Sequence, residues 1–382
     1  MAWTPYQYSL ALMMVITGSI NTLSTKWADE TESVGRDGKK RPFDHPFFQA
    51  SCMFLGEFLC LVVFKILYKY YSRKGDGSED VMGLTKGNRD FSPFKLFIPA
   101  MCDMTATSIM YIGLNLTYAS SFQMFRGSVI IFVGLLSVGF LEKVLKKQEW
   151  TGIFFVIAGL AVVGAADFIA KNNNGSESHS RNDIITGDLL IVIAQIITAI
   201  QMVVEEKFVA GLDIPPLQAV GWEGLFGLVV LSFLQIPFYF IKAGPPFTDN
   251  SSGSLEDALD AFVQISHSWQ LVLAILGTIF SIAFFNFAGI SVTKELSATT
   301  RMVLDSIRTL VIWIVSLIFL GQTFQWLQLL GFISLIIGMG LYNNITLNGL
   351  LTKIRNTLRG LKYSTLEEPI QNHTADEREV VQ

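Results

Sequence analysis

Three charged residues recur at helical spacing inside one otherwise apolar stretch. Arg301, Asp305 and Arg308 stand at i, i+4 and i+7, which puts all three on one face of a helix. A charge at the centre of a bilayer costs about 2.5 to 3.5 kcal/mol on insertion scales, so such residues need a partner, a wet cavity or a task. Asp305 can pair with either arginine but cannot neutralise both, and the face therefore keeps a positive charge. A guanidinium offers a bidentate fork to carboxylate or phosphate oxygens, which makes this face a candidate for binding or gating an anionic solute. The competing reading is a structural ion-pair cluster that locks the helix to a neighbour.

Other polar residues lie at similar depth in apolar stretches. Gln123 and Arg126 share a helix face, and Asp103 is followed at helical spacing by Thr107 and Tyr111. Asn21 belongs to a polar stripe with Thr17 and Ser24, and Gln195 to one with Thr198 and Glu205. The candidate substrate-binding or gating residues are thus Arg126, Gln123, Arg301, Asp305, Arg308, Asp103, Asn21 and Gln195. Glu57, Glu223 and Asp103 are candidates for proton coupling, because a carboxyl group held away from water is a place to take up and release a proton. Polar side chains also join helices to one another in membranes, and every one of these positions has that alternative. His45, His179 and His267 fall in connecting loops and would titrate in an acidic compartment.

The elements that position these residues are apolar segments of bilayer length. Ten are present, at 6–26, 46–70, 94–116, 119–141, 150–170, 186–204, 216–241, 269–292, 297–320 and 325–345. A hydrocarbon core of roughly 30 Å takes about 20 helical residues, and only helices and closed barrels satisfy their backbone groups there. Composition agrees: 51% of residues are hydrophobic, 16% are charged and 30 are phenylalanine, with a mean hydropathy of +0.45. The expected fold class is an all-α polytopic membrane protein of ten transmembrane helices. Cys52, Cys60 and Cys102 fall inside these segments without metal-like spacing, so they read as packing residues, with no disulfide and no metal expected. The first residues, MAWTPYQYSL, lack a basic leader region, and the first segment reads as a retained span.

Charge sets the expected orientation. One set of loops holds Lys69, Arg73, Lys74, Lys86, Arg89, Lys143, Lys146, Lys147 and the basic residues after Leu347, while the opposite set is poorer in lysine and arginine. The richer side faces the cytosol, with both termini. The glycosylation sequons at Asn174 and Asn250 then fall in lumenal loops, in agreement. The polar tail at 346–382 lacks apolar periodicity and is expected to be disordered. It carries Tyr363-Ser-Thr-Leu366, which resembles a tyrosine-based signal read by cytosolic sorting adaptors. That pattern points to a lysosomal or endosomal membrane, with mitochondrial and Golgi membranes as alternatives.

The chain also repeats itself. Without gaps, the stretch from Ala119 aligns with that from Ala298, an offset of 179 (298 minus 119), bringing Gly152, Ile157 and Gly159 onto Gly331, Ile336 and Gly338. The same register sets Arg126 opposite Asp305, a candidate pair across a central cavity. A five-span unit has an odd number of crossings, so its second copy enters the membrane inverted, and such repeats place a substrate site near the midplane between the halves. The expected organisation is a first repeat at 1–171, a lumenal linker at 172–185, a second repeat at 186–345 and the tail. The glycines of the fifth and tenth segments suit close helix packing, which leaves those helices out of the site.

Ser120-Ser-Phe-Gln-Met-Phe-Arg-Gly-Ser128 with Glu142, Ala298-Thr-Thr-Arg-Met-Val-Leu-Asp-Ser-Ile-Arg-Thr309 with Trp313, and the Gly244-Pro-Pro246 loop carry a family resemblance. They are similar to solute carrier family 35, in its F subfamily, a branch of the drug/metabolite transporter superfamily. The resemblance implies a ten-helix carrier with inverted repeats, endolysosomal or mitochondrial association, and nucleotide sugars as a nominal substrate class. There is no phosphate-binding loop, paired cysteine set, zinc-protease motif or nucleophile elbow, so neither an enzyme nor a cofactor is expected. The net charge of −4 gives no reason to expect nucleic acid. The expected partners are a small organic solute, anionic or zwitterionic, and the lipid bilayer; a homodimer and sorting adaptors are compatible with both. The rival reading is a membrane scaffold that keeps the fold and acts through partner proteins.

Overall fold

The computed structural model describes residues 4–74, 87–117, 119–141, 144–174, 181–243 and 252–296, scattered positions between 298 and 315, and residues 326–342. Helix α1 (Pro5–Glu30) starts at a capping box in which Thr4 and Gln7 bond each other's backbone N–H. A short antiparallel hairpin follows, β1 (Glu32–Val34) and β2 (Lys40–Pro42), with Ser33 opposite Arg41. Then come α2 (Pro46–Lys74), α3 (Phe97–Leu116), α4 (Ala119–Phe125), α5 (Val129–Leu141), α6 (Lys147–Asn174), α7 (Arg181–Glu205) and α8 (Pro216–Phe240). The chain continues through α9 (Ala258–His267) and α10 (Trp269–Glu295), helical positions from Ala298 onward, and α11 (Trp326–Tyr342).

Among the described residues, six helical stretches are long and apolar enough to cross a membrane, and Arg126–Phe140 and Trp326–Tyr342 are shorter apolar helices. Their outward faces carry exposed Ile66, Phe154, Phe233 and Phe280, while buried charges point inward, the distribution of a protein solvated by lipid. Several helices run beyond the expected segments: 6–26 is Pro5–Glu30, 150–170 is Lys147–Asn174 and 186–204 is Arg181–Glu205. Polar ends of a helix carry no hydropathy signal, so hydropathy bounds the segments short. The architecture is all-α as expected, with one short hairpin added between α1 and α2, and α9 occupies what the sequence reads as loop; both are too short for periodicity to show. Asn250, Tyr363, Leu366, His179 and the tail lie outside the described residues. Asn174 is the last residue of α6.

Helices of the first half pair with helices of the second: α1 with α10, α2 with α8, α3 with α7 and α6 with α11. Glycines set the closest of these contacts. A Cβ on Gly152 would lie 2.6 Å from the Gly338 carbonyl oxygen, and one on Gly159 would lie 2.7 Å from that of Gly331. Shifting the first contact by 179 residues converts it into the second. Ser334 donates to the carbonyl of Phe155 at 2.8 Å, and these two residues stand at equivalent positions, 179 apart. Small residues let the backbones approach, and dispersion between them replaces the hydrophobic force that lipid cannot supply.

Candidate functional site

Between the paired helices lies a cavity in which about 120 Å³ is open to the centre of a water molecule. One water needs about 10 to 15 Å³ on that measure, so the space is large enough for a small solute. Asn21, Asp103, Arg126, Gln195, Arg301, Asp305 and Arg308 all line it. These residues come from α1, α3, the turn after α4, α7 and the helical segment beyond 298, and no described residue of α6 or α11 joins them. The side chain of Gln123 is outside the described residues.

Arg126 opens a tight 3₁₀ turn, Arg126–Ser128, between α4 and α5. Such a turn within a helix commonly marks a hinge. The Arg126 guanidinium stands 5.7 Å from the Phe122 ring and its Nη2 is 3.7 Å from Asp305 Oδ2. The opposition that the repeat suggests is therefore a loose ion pair. Arg308 Nη2 lies 2.7 Å from Asp305 Oδ1, close in distance but without hydrogen-bond alignment. Its Nη1 donates to the Gly18 carbonyl at 3.3 Å, and its Cζ lies over the Phe285 ring, 4.8 Å from the centroid. Gly18 is required by this approach, since a Cβ there would sit 2.4 Å from Arg308 Cδ.

Arg301 departs from the expected choice of partner. Although it shares a helix face with Asp305, its Nη1 bonds Glu205 Oε2 at the end of α7. Gln201 donates to the other Glu205 oxygen at 2.8 Å, and both members of the pair are buried. Spacing within one helix cannot show this, because the partner comes from a distant helix. Asp103 accepts from Thr107 at 3.2 Å. Glu57 and Glu223 are buried on the facing helices α2 and α8 but do not line the cavity. Glu57 accepts from Asn286 of α10, which does line it.

Sequence reasoning misses several lining residues. Lys26 and Asn286 pass as a helix end and an isolated amide, and Met14, Met53, Met110 and Met202 blend into apolar runs. Glu205 is visible in the polar stripe, and its i, i+4 relation to Gln201 is the available signal.

A second charged cluster sits outside the spans, where the hairpin meets α9. His45 is almost fully buried between Glu256 Oε1 at 2.7 Å and Asp260 Oδ2 at 3.3 Å. Glu256 also accepts the backbone N–H groups of Phe47 and Phe48, fixing the first turn of α2. Asp260 accepts from Arg41 at 2.6 Å, Gln264 at 2.8 Å and the Arg36 backbone at 2.7 Å. Burial pulls the His45 imidazole down, but Asp260 and Glu256 overcome this and raise it to about 9. Burial likewise opposes ionisation of Asp260, yet His45, the Arg36 N–H and Arg41 hold it below the usual carboxylate range. His45 therefore stays charged at neutral and acidic pH, which corrects the expectation that it titrates in an acidic compartment.

Apolar helices enclosing a cavity lined by paired charges define an integral membrane protein with a solute-sized polar interior. The sequence places it further. The Solute carrier family 35 profile matches residues 38–242 and the EamA-like transporter family profile matches residues 185–344. Solute carrier family 35 member F6 of Homo sapiens is 56% identical over 346 residues, covering 90% of this chain and 91% of that protein. The protein of that name from Rattus norvegicus is 54% identical, and a protein of Schizosaccharomyces pombe is 33% identical over 344 residues, 88% of this chain and 97% of its own length. The chain belongs to solute carrier family 35, a family of transporters and not of enzymes. A crystal structure 12% identical in sequence shares the fold at a TM-score of 0.54, covering 90% of this chain and 98% of its own.

Proposed function

We propose that this chain is a secondary transporter of ten transmembrane helices in two inverted repeats, 1–171 and 186–345, joined by a linker at 172–185 and followed by a cytosolic tail at 346–382. It moves a small anionic or zwitterionic organic metabolite by alternating access across an endolysosomal membrane. The observation that carries this reading is the cavity between the halves, where four cations, Lys26, Arg126, Arg301 and Arg308, meet two carboxylates, Asp103 and Asp305. A scaffold has no need of a solvated polar interior. The inverted repeat is supported by contacts that interchange on a shift of 179 residues and by the Arg126–Asp305 pair at equivalent positions. Asp103, at the cavity wall, and Glu57 and Glu223, behind it, are the groups for proton coupling. Nucleotide sugars are favoured by the family name alone.

The test is uptake of a mixed metabolite pool into proteoliposomes, with Arg308→Ala for comparison, at neutral and acidic internal pH. Accumulation of a solute that the variant abolishes is the expected result. Absence of uptake under any gradient by folded protein refutes transport and favours a scaffold. The endolysosomal assignment rests on Tyr363-Ser-Thr-Leu366, and unchanged steady-state location of Tyr363→Ala would remove that support.

A further inference from the structure

Hydrogen-bonding capacity around the cavity is lopsided. Nε of Arg126, Arg301 and Arg308 has no hydrogen-bond partner among the described residues, although Arg308 is only 2% exposed and Arg301 5%. Two more donors rest on poor acceptors: Tyr111 Oη donates to Met53 Sδ at 2.6 Å and Gln195 Nε2 to Met110 Sδ at 3.1 Å. A thioether is a weak acceptor, and a buried donor without a good one is costly. The carboxylates, by contrast, are engaged: Asp103 by Thr107, and Asp305 by Arg126 and Arg308. The cavity lacks acceptors, and a ligand has to bring them.

Charge and shape narrow the ligand. Arg126 and Arg308 share Asp305, so this end of the cavity keeps one positive charge. The guanidinium carbons of Arg126 and Arg308 lie over the Phe122 and Phe285 rings, and a guanidinium offers its N–H edge to an anion in plane. The walls include Met14, Met53, Met110 and Met202, one each from α1, α2, α3 and α7. Flexible, polarisable thioethers suit the faces and edges of a flat ring.

We propose that the cavity takes a flat organic monoanion rich in acceptors and poor in donors, its carboxylate between Arg126 and Arg308 and a second acceptor at Gln195. This rests on the carrier reading and names the solute class. A nucleotide sugar fits poorly, because its hydroxyls bring more donors to a site already in surplus.

Nicotinate is the probe: a flat monoanion whose ring nitrogen accepts and which has no donor. Equilibrium binding to the full-length protein in nanodiscs is compared with benzoate, which lacks the ring acceptor, nicotinamide, which lacks the charge, glucuronate, a monoanion rich in donors, and UDP-glucose. Nicotinate is expected to bind tightest, with benzoate about fivefold weaker, the worth of one hydrogen bond, and nicotinamide about tenfold weaker or more. Gln195→Leu should erase the nicotinate–benzoate difference and leave benzoate unchanged, whereas a structural role would weaken both alike. Gln195→Met, which keeps the side-chain length, guards against a variant that fails to fold. Binding of none of these, tighter binding of glucuronate or UDP-glucose, or a nicotinate–benzoate difference that survives both variants overturns the proposal. Uptake of the mixed pool separates the two ideas: uptake that nicotinate does not inhibit removes the solute class and leaves the carrier, while no uptake removes the carrier itself.

Discussion

Replacing Glu205 by glutamine tests the buried charge network that borders the cavity. Glu205 is fully buried and Arg301 is 5% exposed, and their ion pair joins the end of α7 to the segment beyond Ala298. Removing one partner of a buried pair costs about 3 to 5 kcal/mol, because the other charge stays behind uncompensated. Glutamine keeps one oxygen for Arg301, and Asp103 and Glu223 remain within electrostatic reach of it. The loss should therefore fall near the lower end, about 3 kcal/mol, which changes the folded to unfolded ratio by roughly two orders of magnitude. The assay is reversible unfolding in mixed micelles with rising dodecyl sulfate. The double variant Glu205→Gln/Arg301→Gln removes both charges, and its loss should be smaller than the sum of the single losses by about 2 kcal/mol. Additivity within about 0.5 kcal/mol would show that the two residues are not coupled, and the buried pair would then not be what holds Arg301 in place.

Arg126→Asp and Asp305→Arg should each abolish uptake, and the combined charge reversal should restore part of it; failure to restore it in folded protein would discard the pair across the cavity. Gly159→Val places a Cβ about where the Gly331 carbonyl oxygen now approaches to 2.7 Å, so unfolding in micelles should show a loss of about 1 to 3 kcal/mol. Gly18→Ala drives a methyl group into Arg308 and Phe285, and the expected result is folded protein with reduced solute binding. His45, raised to about 9 by Asp260 and Glu256, contributes stability that is fully present below its ordinary value near 6.5 and is lost as pH rises through 9, about 3 kcal/mol in all. Thermal unfolding between pH 7 and 10 should show this slope in the natural chain and lose it in His45→Gln.

The apolar segments, the offset of 179 and the charged face are legible because each depends on local order along the chain. Hydropathy over about 20 residues finds a span, and a fixed spacing finds a face or a repeat. The same offset sets Arg126 against Asp305 in register, and the structure holds the two 3.7 Å apart. The partner of Arg301 cannot be read. Glu205 lies 96 residues away, and only the docking of α7 against the later segment brings the two together. His45 looks like a loop histidine because the residues that bury it, Glu256 and Asp260, arrive from beyond α8.

By itself, then, the chain's order determined which stretches are long and apolar enough to cross a membrane, where each charge stands on its helix and that two stretches share one pattern, since these follow from transfer energy and helical period. The tertiary structure decided which charges meet, that Glu57 and Glu223 stand behind the cavity while Asp103 faces it, and that methionines form part of the wall. These depend on how helices from distant parts of the chain rotate and approach, and that is fixed by close packing between glycine-bearing surfaces whose partners local sequence does not name.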